Sequence, residues 1–199
     1  MKGINRLTLG VSSIALFMMS HLVNAAMPVP FGWYLEGNLG KSYTNKIFPG
    51  RVQNTGLGWN VNGGYKFTQY VAVDVGLTRY AQARVQTFQG TTVATDSHYS
   101  YDIAGKFILP LAHSGAEIFG KLGIARINSY TSLTNQGAAQ AQGFVFNTGV
   151  HSSSGAYFGA GADFAVTPNI LTNVQWMRVT GSRATGRADL ASAGLSYIF

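Results

Sequence analysis

Three sets of side chains in this 199-residue sequence have types and spacings suited to chemistry. The first is basic. Lys41, Lys46, Arg51, Arg79, Arg84, Arg126, Arg178, Arg183 and Arg187 fall in four long polar stretches or at their borders, opposed there only by Asp96 and Asp189. So one-sided a set binds anions, and Arg offers phosphate a planar, often bidentate fork. The second set is mixed: Glu36, Asp74, Asp102, Glu117 and Asp163 against Lys66, Lys106 and Lys121, each at a polar position of an alternating segment. Charges enclosed on one face need partners, so these eight are expected to form a hydrogen-bonded polar plug. The third is His151 and Ser153 in "HSSSG", with Asp163 to orient the imidazole, residue types that can activate a hydroxyl. Their phase points them away from any lipid substrate, so no catalytic residue is expected. His98, His113 and His151 are too scattered for a metal, and the glycines of "GAGAD" lie inside an alternating segment with no helix after them. With no Cys, thiol chemistry is excluded, and no cofactor is expected.

The elements that must hold these residues are strands. Neighbouring strand residues point to opposite faces, and eight segments alternate apolar with polar or small. They are "GWYLEGNLGK", "GLGWNVNGGYKF", "YVAVDVGLTRY", "HYSYDIAGKFIL", "AEIFGKLGIAR", "AYFGAGADFAV", "NILTNVQWMR" and "LASAGLSYIF". Phe119, Leu171, Met177, Leu190 and Ile198 break the pattern, and Phe119 leaves the fifth register open by one residue. Short connections ("FTQY", "LPLAHSGA", "VTPNI") alternate with long ones at 41–55, 81–97, 127–153 and 178–188. Pro110 and Pro168 are expected to break the ladder in the short ones, and "TNQGAAQAQG" reads as a mobile loop tip.

The N-terminus supplies the compartment. Lys2 and Arg6 precede the apolar "LTLGVSSIALFMM", and Val23 and Ala25 are small enough to flank a cleavage site. Residues 1–25 therefore read as a secretory signal peptide and 26–199 as one exported domain. Charged residues make up 11% of the chain and aromatics 13%, where a soluble domain has about 25% charged residues. A low-charge exported chain without a long apolar run past its leader can span a membrane only as a closed β-barrel. A soluble lipocalin-like barrel also has eight alternating strands, but apolar inside. Here Gly, Ala and charges share one face while aromatics mark the ends of the other, as in a membrane barrel. The expected fold is all-β: an eight-stranded, up-and-down antiparallel transmembrane β-barrel. Its lumen is too narrow for nutrient diffusion, which needs ~16 strands.

On "GWYLEGNLGKSY", "GGYKFTQYVAVDVGLTRY", "IFGKLGIAR", "YFGAGADFAVTPNI" and the closing "GLSYIF", the chain resembles the OmpA-like family of outer-membrane barrels, including the OmpX and opacity types. The resemblance covers nearly the whole exported domain. It implies that Leu195, Tyr197 and Phe199 form the C-terminal signal read by the barrel-assembly machinery. The seventh strand departs from the pattern, with Asn173, Val174, Gln175 and Trp176 where relatives often have Arg and Glu before an aromatic. No peptidoglycan-binding module is expected. The implied location is the bacterial outer membrane, as a monomer. Arg79, Arg126 and Arg178 continue the lipid-facing phase of their strands and are expected to meet lipopolysaccharide phosphates. The net charge of +7 then points to phosphate-bearing lipid rather than nucleic acid. The expected role is envelope integrity or surface interaction, with adhesion to a host or surface ligand through the loops. A low-conductance pore is the alternative, and a lipid A-modifying enzyme comes third.

Overall fold

The computed structural model describes residues 29–199 apart from 47–50, 88–89, 112–113, 142 and 145–147. The expected signal peptide, residues 1–25, and His113 lie outside the described residues.

Ten strands form one antiparallel sheet: β1 Gly32–Asn45, β2 Arg51–Gln53, β3 Thr55–Lys66, β4 Val71–Arg79, β5 Ala83–Gln86, β6 Thr92–Leu111, β7 Ala116–Leu133, β8 Gly149–Ala165, β9 Ile170–Val179 and β10 Arg187–Ile198. β2 and β5 are short outer extensions. The other eight close a ring in the order β1, β3, β4, β6, β7, β8, β9, β10, sealed by β1–β10 pairing from Tyr34↔Ile198 to Asn45↔Arg187. Closure leaves the ring no open edge, which is what lipid demands of backbone hydrogen bonds. No helix among the described residues is long and apolar enough to cross a membrane.

Alternation decides which face meets which medium. Trp33, Leu35, Leu39, Leu57, Val75, Ile103, Leu122, Ile124 and Leu195 stand exposed on the outer surface. Their neighbours Tyr34, Glu36, Asn38, Asn60, Asp74, Asp102 and Lys121 are buried inside. This is a lipocalin turned inside out. Aromatics cluster at both ends of the outer belt. Edge-to-face chains run through Trp33–Tyr65–Phe67 and Tyr197–Phe199 at the short-turn end, and pair Tyr99–Tyr101 and Phe158–Trp176 toward the loops. Two short turns use the same device: the hydroxyls of Thr68 and Thr167 each accept a backbone N–H two or three residues on.

Four sequence expectations change. The strands run well past the apolar belt, β7 to Leu133 and β8 from Gly149, so the loops are shorter than the sequence pattern implies. Above lipid both faces mix polar and apolar residues, so the sequence alternation disappears while the ladder continues. Pro110 lies inside β6 opposite Glu117, beyond the last residue with a β4 partner, where its missing N–H costs no pair. The "TNQGAAQAQG" stretch contains a helical turn, α1 (Gln136–Ala141), whose Ala139 is buried against Val85, Val93 and Ala94. Finally, the fifth membrane strand (β7) is not displaced: Ile118, Leu122 and Ile124 face out and Phe119 faces in.

Phe119 is one of the five residues that break the alternation; all five are inside. Phe119, Leu171 and Ile198 join Tyr34, Ala72 and Ile108 in an apolar layer across the lumen at the short-turn end. Met177 and Leu190 join Tyr80, Ile127, Tyr157 and Val179 in a second layer toward the loops. Gly161 makes the first layer possible, because a Cβ there would meet the Phe119 ring at 2.6 Å.

Candidate functional site

Between these apolar layers lies most of the charged group, with Lys66 and Glu117 level with the layer at the short turns. Glu36 is its hub, fully buried. Its Oε1 accepts from Asn38 Nδ2 (2.8 Å), Asn62 Nδ2 (2.9 Å) and Gln175 Nε2 (2.8 Å), with Lys121 Nζ 3.6 Å away. Lys121 is ion-paired to Asp74 at 2.7 Å, and Lys106 to Asp163 at 2.8 Å. Lys106 also stands 4.0 Å over the Phe119 ring, so the apolar layer and the charges share a contact. Lys66 donates to both oxygens of Glu117 at 2.7 and 2.9 Å near the short turns. Asp102 rests against Gly76, where a Cβ would meet its carboxylate oxygens at 2.7 and 2.8 Å. The structure thus places all eight of these charges in the lumen and joins seven of them in ion pairs. A cavity of about 20 Å³ beside Tyr34, Lys66 and Glu117 has room for about one water. Gln175 acts here as a neutral donor to Glu36.

Nothing in the sequence pattern marks the polar cluster at the loop end of the lumen. Lys46 Nζ donates to Ser129 Oγ (2.8 Å) and Thr131 Oγ1 (2.9 Å) and lies 3.4 Å from Asp96 Oδ2. Both hydroxyls donate to Asp96 Oδ1 at 2.8 Å. His98 Nε2 bonds the Thr185 carbonyl at 3.0 Å; a carbonyl only accepts, so this nitrogen carries the proton. Lys46 and Asp96 look like loop charges in the sequence because they sit more than forty residues apart, in stretches without alternation.

The same end separates the basic residues into two groups. Arg178 Nε donates to Asp189 Oδ1 at 2.5 Å and its guanidinium lies 4.9 Å from the Trp176 ring; Arg187 Nε is 3.5 Å from the other Asp189 oxygen. Lys41, Arg79, Arg84, Arg126 and Arg183 make no ion pair among the described residues. Arg79, Arg126 and Arg178 all continue the outward phase of their strands. Arg79 stands between Trp59 of β3 and Tyr99 of β6, and Arg126 beside Tyr101. These cations therefore sit at the outer aromatic ring, where a lipid headgroup begins.

The remaining sequence candidates are placed as follows. Ser153 Oγ is within 2.5 Å of Thr185 Oγ1 and accepts the Ser182 amide at 3.0 Å. Asp163 is ten residues along the same strand, ~33 Å away at ~3.3 Å per residue, and paired to Lys106. The His151/Ser153/Asp163 set is therefore not assembled. Leu195, Tyr197 and Phe199 face outward, and the Phe199 amide donates to the Trp33 carbonyl at 2.9 Å, which fixes the end of β10 on β1.

A closed eight-stranded barrel with an apolar belt between two aromatic rings and a charge-paired lumen is an integral protein of the bacterial outer membrane. Residues 11–199 match the outer membrane protein beta-barrel domain family, and the chain belongs to that family. Neisserial surface protein A has a similar structure, with a TM-score of 0.62 at 15% identity over 84% of this chain and 97% of its own. OprG of Pseudomonas aeruginosa gives 0.60 at 13% identity, over 88% and 99%. Ail of Yersinia pestis, in complex with a heparin analogue, gives 0.51 at 16% identity, over 84% and 99%. At these identities the likeness is one of fold. No curated protein matches the sequence.

Proposed function

We propose that this protein is a sealed outer-membrane anchor that serves envelope integrity or surface interaction through its basic outer rim, and that it is neither a diffusion channel nor an enzyme. The observation that carries this reading is the contrast between a lumen crossed by two apolar layers around paired charges and a rim with unpaired cations. A path for ions would have to cross Phe119 and Tyr157, against the cost of stripping water from the ion. Arg79 and Arg126 at the aromatic ring suit lipopolysaccharide phosphates, and the unpaired loop cations suit an acidic host or surface ligand. The expected state is a monomer.

Planar-bilayer recording tests the sealed lumen: no steady conductance is expected, and a reproducible ohmic step would refute it. Overexpression is expected to leave lipid A chemically unchanged; a deacylated product would establish an enzyme. The tail residues Leu195, Tyr197 and Phe199 serve as the address read by the assembly machinery. Phe199→Ala is accordingly expected to lower insertion in cells while refolding into vesicles proceeds, whereas equal loss in both settings would make the residue merely structural.

A further inference from the structure

The ladder of the outer wall breaks between β3 and β4 near the loop end. β3 pairs with β4 up to Trp59↔Arg79, and pairing resumes between β2 and β5 at Gln53↔Arg84. Between these two pairs, residues 54–58 face residues 80–83, five against four, with no ladder joining them. The break is local. β3 keeps its β1 partners on the other side, from Tyr43↔Thr55 to Lys41↔Leu57, and Tyr80 still donates to the His98 carbonyl of β6. It is also blind. Buried Ser42 accepts the Ala81 amide at 2.7 Å and donates to the Gly56 carbonyl at 3.3 Å, and a Cβ on Gly56 would meet that of Ala81 at 2.8 Å, so the floor is closed to the lumen.

What is left is an outward-facing notch of about 290 Å³ lined by Gln53, Thr55, Leu57, Gln82 and Arg84 above that floor. Its size sits at the lower bound of ligand pockets. Leu57 is an exposed apolar side chain just above Trp59 and Arg79, which belong to the outer aromatic ring. With strands tilted by ~45°, the Gln53–Arg84 pair stands about 14 Å above Trp59. The notch therefore spans the headgroup level. It offers a guanidinium without an ion pair among the described residues, two carboxamides, of which Gln82 also reaches Ser97 Oγ at 3.4 Å, a hydroxyl and a strand edge without ladder partners, a donor-rich set beside one apolar lip.

From this geometry we infer that the β3–β4 break is a discrete site for the phosphorylated sugar headgroup of an outer-leaflet lipid, with Arg84 on the phosphate, Gln53 and Gln82 on sugar hydroxyls, and an acyl chain leaving over Leu57. The inference deepens the proposed rim–lipid contact by separating one saturable site from a diffuse belt.

The test uses the full protein in phosphatidylcholine nanodiscs doped with bisphosphorylated lipid A, with bound lipid counted by native mass spectrometry and folding checked by heat-modifiable gel migration. Wild type is expected to hold one lipid A saturably. R84E and the notch-filling Q82W should each weaken that component by about tenfold or more, the worth of one charge-assisted hydrogen bond. The R79S/R126S double variant should keep it and lower only the unsaturable enrichment, so failure of the belt is read separately from failure of the notch. Folded R84E and Q82W that retain lipid A like wild type would overturn the site. Equal competition by glucosamine 1-phosphate would overturn its assignment to a lipid.

Discussion

The lumen and the outer rim treat positive charge in opposite ways. Inside, every cation is a lysine, and Lys66, Lys106 and Lys121 each meet a carboxylate within 2.8 Å. At the loop end seven of the nine cations are arginines, and five of the nine make no ion pair among the described residues. A narrow lumen favours a compact point charge on a thin stem; a headgroup layer favours a flat fork that can grip two oxygens. Charge inside the membrane is thus spent on internal pairing, and charge at its surface stays available.

Breaking the inner half of this contrast should have the largest effect. Lys121→Met leaves Asp74 without its partner and Glu36 short of a cation, and is expected to cost about 3–5 kcal/mol in urea titrations of vesicle-refolded protein, or to prevent folding. Phe119→Ala removes the ring that Lys106 covers and opens the lower apolar layer. Its loss should lie near the low end of ~3–5 kcal/mol, because water entering the lumen offsets part of the cavity. If the seal is apolar, the same variant gains a measurable bilayer conductance that wild type lacks. At the rim the effects are smaller and fall on lipid rather than stability. R79S and R126S should each weaken binding to lipopolysaccharide-containing vesicles by about 1 kcal/mol, as for a basic residue at an anionic surface. R178S should do least, since Asp189 and Trp176 already engage that side chain. A loss for R178S equal to that for R79S would erase the distinction between paired and unpaired rim cations.

Much of this was legible in the sequence because lipid imposes a two-residue period on every crossing segment. Leu35, Leu39, Val75 and Ile103 could be assigned to one side with no other information. The closing seam followed from the segment count, whereas the register of the fifth strand did not. Two features were hidden for opposite reasons. Phe119, Leu171, Met177, Leu190 and Ile198 look like errors because a period of two sorts polar from apolar, and the lumen uses both. Lys46, Asp96, His98 and Thr185 form a cluster that no local spacing reports, since Asp96 and His98 of β6 meet Lys46 and Thr185 of two other stretches only across the closed ring. The ladder break at residues 54–58 was equally silent: its strand keeps normal β1 partners, so only pairing on the far side reveals it.

Glu36 also acts as a gauge of closure. Its bond from Gln175 passes over the β1–β10 seam, because Gln175 lies on β9. Sliding that seam by two residues keeps every apolar side chain facing lipid and satisfies a complete ladder, so neither the belt nor the backbone detects the fault. It would, however, change the barrel's shear and carry Gln175 about 6.6 Å from Glu36, two residues at ~3.3 Å each. The stagger of the finished cylinder is therefore checked from within, by one carboxylate oxygen that finds its three amide donors at a single alignment.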